Sequence, residues 1–369
     1  MLARVGVEGF FFVVFGIDVQ RKHRVACVNA WIVAKTVPSA RYIHAMSLNI
    51  RLLGTSASRP TIERNVSSLA IHREGETLMF DCGEGTQRQM MRYGVSFALE
   101  DIFFTHMHSD HLLGVIGLMR TMALQGRIER LRLWGPRGSS RVLNRAESLG
   151  FERATFPVEI LELEPGQRIE RAGYAILAFP VEHRGSASLG YALVEEDRKG
   201  RFNPDLAREL GIPEGPMWGQ IHRGKSVTLD DGRVIEPSVL VGPQRPGRTV
   251  IVTGDTRPCA ATIEASRGAD LLIHEATFGD EEAERAIETG HSTAREAAQV
   301  ANAVGVRRLL LTHFSARYSR DAYELLREAQ QVHADTTVGK DGMEIEVPFR
   351  DQVNSPEQAS TPSSTNLTN

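Results

Sequence analysis

The chain has 369 residues, of which 41% are hydrophobic and 24% are charged, and its formal net charge is −3. This composition is typical of a folded globular protein, and it excludes a disordered chain, a collagen-like repeat and a polytopic membrane protein. A nucleic-acid partner would therefore have to bind a local basic patch. The three cysteines, Cys27, Cys82 and Cys259, provide neither a disulfide framework nor a CxxC zinc site, and they predict reduced thiols in a cytosol.

Residues 1–45 differ in character from the rest of the chain. They carry six Lys or Arg residues against two acidic residues, and their one apolar run, 10–17, is eight residues long. A membrane span needs roughly 20 apolar residues, and no clean small-residue cleavage site follows the run. We predict that Met46 is the natural start and that 1–45 is a doubtful extension.

The region 46–350 alternates short β-branched or aromatic runs with helical periods, which predicts a single α/β catalytic domain. The predicted helices are Ala294–Val304 and Asp321–Val332. The predicted strands are Leu48–Leu53, Ser67–Ile71, Leu78–Phe80, Ile102–Phe104, Ala175–Phe179, Val250–Val252, Leu271–Ile273 and Leu309–Leu311.

The strand at 102–104 runs into a loop that carries three histidines and an aspartate within six residues, at His106, His108, Asp110 and His111. Neutral imidazole and carboxylate are good zinc ligands, and crowding them together without a cation would leave buried polar groups unsatisfied. His106 and His108, two residues apart on extended backbone, point the same way. Asp110 and His111 follow the turn and can face a second ion, and a helix starting at Leu112 would fix the loop.

More ligands are expected at other strand ends. His183, Asp255 and His313 each follow an apolar strand, at the carboxyl end where open α/β sheets place their sites. If Asp255 bridges two ions, each ion has four protein ligands. One ion would be held by His106, His108, His183 and Asp255, and the other by Asp110, His111, His313 and Asp255.

The stretch from about 195 to 247 breaks the alternation. It is rich in glycine and proline and contains a hairpin signal at Asp231-Gly232, which predicts an arm projecting from the core. Residues 184–247 carry nine Lys or Arg and nine Asp or Glu, so the arm is not net basic. We therefore expect a weaker salt dependence of RNA binding than a strongly basic arm would give.

Three further polar residues follow in chain order. His274 and Glu275 end a strand and are candidates to support the ligands or to hold a loop. His291 precedes Thr293 and Glu296, whose spacing fits a capping box. His291 at that helix start could hydrogen-bond a phosphate or protonate a leaving oxygen, or it could be a capping-region histidine without chemical importance. The last segment, 351–369, lacks Lys and Arg and is predicted to be a disordered tail.

Several separate motifs, in a consistent order, carry a resemblance to a known family. The loop THMHSDH (105–111) resembles the signature of the metallo-β-lactamase superfamily. The other segments resemble ribonuclease Z, the tRNA 3′-processing endoribonuclease, over about 48–347. They are LGTSASRPTIERNVSSLAI (53–71), FDCGEGTQRQM (80–90), VEHRGSASLGYAL (181–193), GDTRPC (254–259), IHEATF (273–278), GHSTAREAA (290–298) and LTHFSARY (311–318).

The resemblance implies a four-layer αβ/βα sandwich with two zinc ions per subunit and Asp255 between them. It implies that Asp81 is a structural aspartate beneath the metal loop, and that His291 transfers a proton or stabilises the phosphate. It also implies an arm that holds precursor tRNA, commonly offered by one subunit of a homodimer to the tRNA cut by the other. A cytoplasmic location is expected, with neither a nucleotide cofactor nor a membrane partner.

The activity implied is removal of the 3′ trailer, which leaves a 3′-OH on the tRNA and a 5′-phosphate on the trailer. Two cations would activate a water for attack on phosphorus, with Asp110 as proton acceptor and His291 as proton donor. The chain departs from many relatives at Gln220, where a lysine is common. The alternative is another dinuclear-zinc hydrolase acting on a small phosphodiester, a sulfate ester or a thioester.

Overall fold

The computed structural model describes residues 47–150 and 154–353, together with two short strands that pair with each other, β1 (Gly6–Val7) and β2 (Phe10–Phe11). The described residues 47–150 and 154–353 belong to one compact unit. In it, two seven-stranded sheets face each other. No described helix is long and apolar enough to cross a membrane.

The first sheet is built from the N-terminal half of this unit and one strand from its end. Its strands β5 to β8 are parallel, whereas β18, β3, β4 and β5 are joined by antiparallel pairs. In spatial order the strands are β18 (Glu344–Glu346), β3 (Leu48–Gly54), β4 (Ser68–Arg73), β5 (Glu76–Phe80), β6 (Asp101–Phe103), β7 (Leu131–Pro136) and β8 (Val158–Leu163).

The second sheet is built from the C-terminal half. Its strands β14 to β17 are parallel, and β9, β10, β11 and β14 form antiparallel pairs. In spatial order the strands are β17 (Thr336–Val338), β16 (Leu309–Thr312), β15 (Leu271–Glu275), β14 (Thr249–Val252), β11 (Leu189–Glu195), β10 (Tyr174–Pro180) and β9 (Arg168–Arg171).

Helices cover the outer faces of both sheets. Those against the first sheet are α1 (Thr86–Tyr93), α3 (Gly114–Leu124) and α4 (Ser139–Glu147). Those against the second are α8 (Ala260–Ala265), α10 (Ala294–Ala303) and α11 (Tyr323–Gln330). Shorter elements are α2 (Ser109–Leu112), α9 (Ala283–Thr289), α12 (Arg350–Val353) and the 3₁₀ turns Asp280–Glu282 and Ala316–Tyr318.

Three apolar layers hold this arrangement together. The central layer joins the inner faces of the two sheets, with Phe80, Phe103 and Tyr191 in mutual ring contact. The other two layers lie between each sheet and its helices. A helix or sheet is stable only when its apolar face is covered. The predicted four-layer αβ/βα sandwich is therefore confirmed.

An arm leaves the second sheet after β11 and returns at β14. It has its own small apolar core, which includes Ile221 and Leu240. The predicted turn at Asp231-Gly232 joins two antiparallel strands. The arm's elements are α5 (Pro204–Glu209), α6 (Pro216–His222), β12 (Val227–Thr228), β13 (Val234–Ile235) and α7 (Pro237–Leu240).

The sequence predictions differ from the structure at two points. The helix expected to start at Leu112 begins at Gly114, and a separate one-turn helix, Ser109–Leu112, precedes it and contains Asp110 and His111. Residues 351–353, the start of the predicted tail, belong to α12, while 354–369 lie outside the described residues. The proposal that Met46 is the natural start also concerns residues outside the described ranges and stays a prediction.

Candidate metal centre

Side chains from both sheets meet at one edge of the sandwich. His106, His108, Asp110 and His111 follow β6 of the first sheet. His183, Asp255 and His313 follow β10, β14 and β16 of the second. These three strands run in the same direction, so their carboxyl ends meet at one edge. The structure thus brings together all seven residues proposed from the sequence as ligands.

The first group of converging atoms comprises His106, His108, His183 and Asp255, whose candidate ligand atoms all lie within 4.8 Å of one another. Nδ1 of His108 lies 3.0 Å from Nε2 of His106 and 3.2 Å from Nε2 of His183. Oδ2 of Asp255 lies 3.6 Å from Nε2 of His106. His108 is the exposed member, and the other three are buried.

The second group comprises Asp110, His111 and His313. Nε2 of His313 lies 3.3 Å from Nε2 of His111 and 3.4 Å from Oδ2 of Asp110. Oδ1 of Asp255 lies 3.2 Å from Nε2 of His313 and 3.4 Å from Nε2 of His111. The two carboxylate oxygens of Asp255 therefore face different groups, Oδ2 the first and Oδ1 the second.

Backbone geometry at this edge is specialised. Asp81 and His313 adopt positive φ values of 55° and 58°, in the left-handed region that non-glycine residues rarely occupy. Gly254 has a φ of 63°, and a Cβ there would lie 2.6 Å from Cβ of Thr105. Only glycine therefore allows Asp255 to approach the loop of the first sheet so closely.

Four of the histidines are oriented by a hydrogen bond at Nδ1, the ring nitrogen that does not face the centre. His111 donates from Nδ1 to Asp81 over 2.7 Å, and His183 donates from Nδ1 to the carbonyl of Gly290 over 2.9 Å. Nδ1 of His106 lies 3.0 Å from Oγ1 of Thr105, and Nδ1 of His313 lies 2.9 Å from Oγ1 of Thr277. Each contact leaves Nε2 facing the centre, as metal-binding histidines require.

Asp81 lies beneath the metal loop and has several partners there. Besides His111, its carboxylate accepts hydrogen bonds from the backbone N–H and the hydroxyl of Thr105, at 2.8 Å and 2.9 Å. Asp81 therefore connects the two ends of the loop that carries the first four candidate ligands.

His291 lies at the rim of the centre, where it forms a third group with Asp255 and His313 whose candidate ligand atoms lie within 4.8 Å of one another. Its Nδ1 donates to Oε1 of Glu275 over 2.8 Å, and its ring centroid lies 4.9 Å from that of His183. Burial lowers the pKa of His291, but Glu275 and Asp255 outweigh burial and raise it to about 9. The capping box predicted from Thr293 and Glu296 is present directly after it.

Glu275 and His274 have different surroundings although they are adjacent. Glu275 is buried and contacts His291, while His274 donates from Nδ1 to the backbone carbonyl of Glu275. Side chains alternate along a strand, so only one of the two can face the centre. Within the described part of the chain, no hydrogen bond links His274 to the seven candidate ligands, so the structure brings Glu275 to the centre, and a supporting or loop-holding role for His274 stays a prediction.

Two further polar residues contact the centre but were not predicted from the sequence. The hydroxyl of Thr277 donates to Oε2 of Glu275 over 2.6 Å and accepts a hydrogen bond from Nδ1 of His313. The backbone N–H of Ser58 donates to Oδ2 of Asp110 over 2.7 Å. Thr277 lies two residues after Glu275, and that spacing on an extended segment is the signal that could have identified it.

The electrostatics of the centre favour cations. Four buried carboxylates, Asp81, Asp110, Asp255 and Glu275, lie among the imidazoles. Burial opposes ionisation of Asp110 and Asp255, but neighbouring histidines hold the pKa of each below its usual range. Burial also lowers the pKa of His106 and so favours the neutral, ligating form.

Asp255 provides a direct test of whether a cation fits. Its Oδ1 is buried and accepts no hydrogen bond from the described residues, a costly arrangement for a carboxylate unless a positive charge faces it. Imidazole nitrogens 3.0–3.3 Å apart also face one another around both groups. This nitrogen and oxygen donor set suits a divalent metal of the zinc type.

The fold and this cluster together define a hydrolase of the β-lactamase superfamily. The family described as "Beta-lactamase superfamily domain" matches residues 76–241 and 236–314. Two curated relatives are more specific. Ribonuclease Z of Gemmatimonas aurantiaca is 64% identical over 319 residues, which are 86% of this chain and 100% of that protein. Ribonuclease Z of Myxococcus xanthus is 52% identical over 305 residues, 82% of this chain and 99% of that one. The chain belongs to the ribonuclease Z family.

A solved structure agrees with this assignment. The crystal structure of the short form of human tRNase Z matches with a TM-score of 0.60 and 27% sequence identity, covering 82% of this chain and 100% of that chain. The resemblance proposed from the motifs is therefore confirmed at the level of family and fold.

Proposed function

We propose that this chain is an endoribonuclease that removes the 3′ trailer from tRNA precursors, with two zinc ions held by the seven candidate ligands. The products would be a tRNA with a free 3′-OH and a trailer with a 5′-phosphate. Membership of the ribonuclease Z family supports the reaction. The observation that supports the pair of ions is the carboxylate of Asp255, whose two oxygens face two separate groups of donors.

A pair of zinc ions supplies an acidified water and positive charge that stabilises the phosphate as negative charge develops. Side chains of the protein transfer the protons. The N–H of Ser58 holds Asp110, which accepts the proton of the attacking water. Glu275 holds His291 through Nδ1, and this orients the ring to donate a proton to the departing 3′ oxygen.

A basic cavity beside His291 supports a polyanionic substrate. It has a volume of about 330 Å³, and its lining includes Arg59, Arg285 and Arg317 but no acidic residue. Arginine is well suited to bind phosphate because its planar guanidinium donates several hydrogen bonds. A small ester or thioester would not need three arginines beside the centre, so the cavity favours RNA over the alternative hydrolase activities.

The arm supports recognition of the body of the tRNA. Its own apolar core gives it a defined shape away from the chemistry. Gln220, where a lysine is common among relatives, is exposed on α6 together with the nearby Arg223 and Lys225. Either cation could contact a phosphate that a lysine at 220 would otherwise bind.

A homodimer fits the apolar surface on the helices of the first sheet. Exposed large side chains occur on neighbouring segments there, at Met91, Leu124, Ile128 and Leu149, and Arg120 of α3 donates to the carbonyl of Leu149. Exposed apolar side chains are candidates for an interaction surface where they adjoin, so these four are the first positions at which to test a dimer interface. The reduced thiols expected from the cysteine pattern favour a cytoplasmic location.

The decisive experiment is cleavage of a labelled tRNA precursor by the purified protein, with the cut mapped to the nucleotide. We expect one cut after the discriminator nucleotide, abolished by a chelator and restored by zinc. Bis-p-nitrophenyl phosphate and a thioester serve as competing substrates. A preference for the thioester, or cutting that a chelator does not affect, would contradict the proposal.

A further inference from the structure

The stalk is the part of the arm that joins it to the core, and it consists of 196–203 and 241–247. In the described structure its two segments pair at two isolated bridges, Arg198 with Arg245 and Phe202 with Val241, and three backbone hydrogen bonds join them. Two bridges are a weak constraint on direction, because a two-stranded ribbon needs further packing for stability. Side chains at the base of the arm therefore add to what fixes its direction.

The root of the stalk is fixed by a buried cluster. Glu195, the last residue of β11, accepts from Nε and Nη2 of Arg248 over 2.7 Å and 2.8 Å, and from Nε of Arg73 over 2.9 Å. Arg248 is 2% exposed. This cluster joins both ends of the arm to a strand of the opposite sheet, and it lies too deep to exchange partners with a ligand.

A second, more exposed cluster lies further along the stalk and is centred on Asp351 of α12. Arg198 reaches Oδ1 of Asp351 at 2.7 Å, and Arg245 and Arg201 reach Oδ2 at 2.8 Å and 3.1 Å. The three arginines belong to both segments of the stalk. One carboxylate from the C-terminal end of the described chain therefore binds both segments at once.

Phe349 connects the two clusters. The guanidinium of Arg198 lies 3.4 Å from the centroid of its ring, and that of Arg248 lies 3.9 Å from it. The segment 349–351 thus contacts the stalk through both a ring and a carboxylate. Without the carboxylate, three guanidinium groups would remain close together and repel one another.

We propose that Asp351 is a positioning residue that fixes the direction of the arm relative to the metal centre. The proposal rests on the proposed function, in which the arm holds the tRNA body while the centre cuts. Exposed ion pairs contribute little to overall stability, so the effect of Asp351 is on geometry rather than on folding. Misdirecting the arm weakens productive binding of a large substrate and leaves a small substrate unaffected.

The test compares Asp351→Asn with wild type on precursor tRNA and on bis-p-nitrophenyl phosphate. We expect KM for the precursor to rise about tenfold with kcat nearly unchanged, and hydrolysis of the small diester to stay within about twofold. Asp351→Glu keeps the charge and should restore part of the loss. Glu264→Gln, which removes an exposed ion pair with Arg267 outside the stalk, is the matched control and should change neither activity.

Hydrogen exchange of the stalk gives a readout independent of RNA. Amides of 196–203 and 241–247 should exchange faster in Asp351→Asn, while those of β11 and β14 should not. An unchanged KM together with unchanged exchange would overturn the proposal. A lower KM would also overturn it, because Asp351 would then screen arginines that bind RNA directly. If wild type does not cut the precursor, the proposed function fails, and the exchange data still decide whether Asp351 holds the stalk.

Discussion

Nδ1 of His291 lies 2.8 Å from Oε1 of Glu275, a buried carboxylate that also accepts a hydrogen bond from Thr277. This contact determines which ring nitrogen of His291 remains for the substrate. We expect Glu275→Gln to lower kcat for precursor tRNA about 10- to 100-fold, the usual cost of losing a supporting carboxylate. His291→Ala should lower it at least as far.

Both variants should keep their zinc, because all seven proposed ligands remain in them and Nδ1 of His291 is held by Glu275. Zinc content measured by atomic absorption is the check. Loss of metal from His291→Ala would show that His291 is a ligand and that its assignment as a proton donor is wrong.

Asp255→Ala should remove nearly all activity together with metal. The variant loses both carboxylate oxygens, and each faces a different group of donors, so we expect less than one zinc ion per chain and a fall in kcat of at least about 1,000-fold. His108→Ala is the comparison, since it removes one exposed donor from one group. Equal metal loss in the two variants would argue against a shared role for Asp255.

The buried cluster at Glu195 should make stability depend on pH. Burial opposes ionisation of Glu195, but the hydrogen bonds and charge of Arg248 and the contact with Arg73 lower its pKa below the usual 4.5. Its stabilising contribution is complete above the unfolded pKa and is lost as the pH falls through the lower folded value. Glu195→Gln should therefore show a shallower fall in unfolding free energy between about pH 5 and about pH 3.

Urea unfolding of both proteins across this range is the measurement. At neutral pH the variant should be less stable by about 3–5 kcal/mol, because Arg248 would keep an uncompensated buried charge. Parallel curves for the two proteins below pH 5 would contradict the assignment.

The salt dependence of tRNA binding should be modest and traceable to particular side chains. Most arginines of the arm already have carboxylate partners, such as Asp231 for Arg233. Lys199, Arg223 and Lys225 have no ion pair with a described residue. Three phosphate contacts on the arm contribute about −3 to the slope of log affinity against log salt, in addition to the contribution of the arginines beside His291. Lys225→Gln should reduce the magnitude of the slope by about one, and Arg233→Gln should leave it unchanged; a reduction with Arg233→Gln would show that the arm's ion pairs open on RNA.

Cys82 should be unreactive in the folded protein. Burial raises the pKa of its thiol to about 12, and only the thiolate is alkylated. After treatment with iodoacetamide at about pH 8, mass spectrometry should show Cys82 unmodified in native protein and modified in urea. Modification of the native protein would mean that the region beneath the metal loop opens readily.

The seven candidate ligands could be predicted because each follows an apolar strand, and parallel strands place their carboxyl ends at one edge. The contributions of Thr277 and Ser58 could not, since they depend on which loops meet in space. A role for His274 stays a prediction, because an alternating strand allows only one residue of an adjacent pair to face the centre. The Asp351 cluster joins positions more than 100 residues apart, and no local pattern in the sequence reveals such a pairing.

The N–H of Glu195 bonds to the carbonyl of Arg248 over 3.0 Å, so the chain leaves the sandwich and re-enters it at neighbouring positions on adjacent antiparallel strands. Because the arm begins and ends at neighbouring positions, a short turn can replace it without altering the register of β11 and β14. If the arm binds the body of the tRNA as proposed, substrate range and bond cleavage depend on separable segments, and this fold can gain or lose large RNA substrates by insertion or deletion at one site.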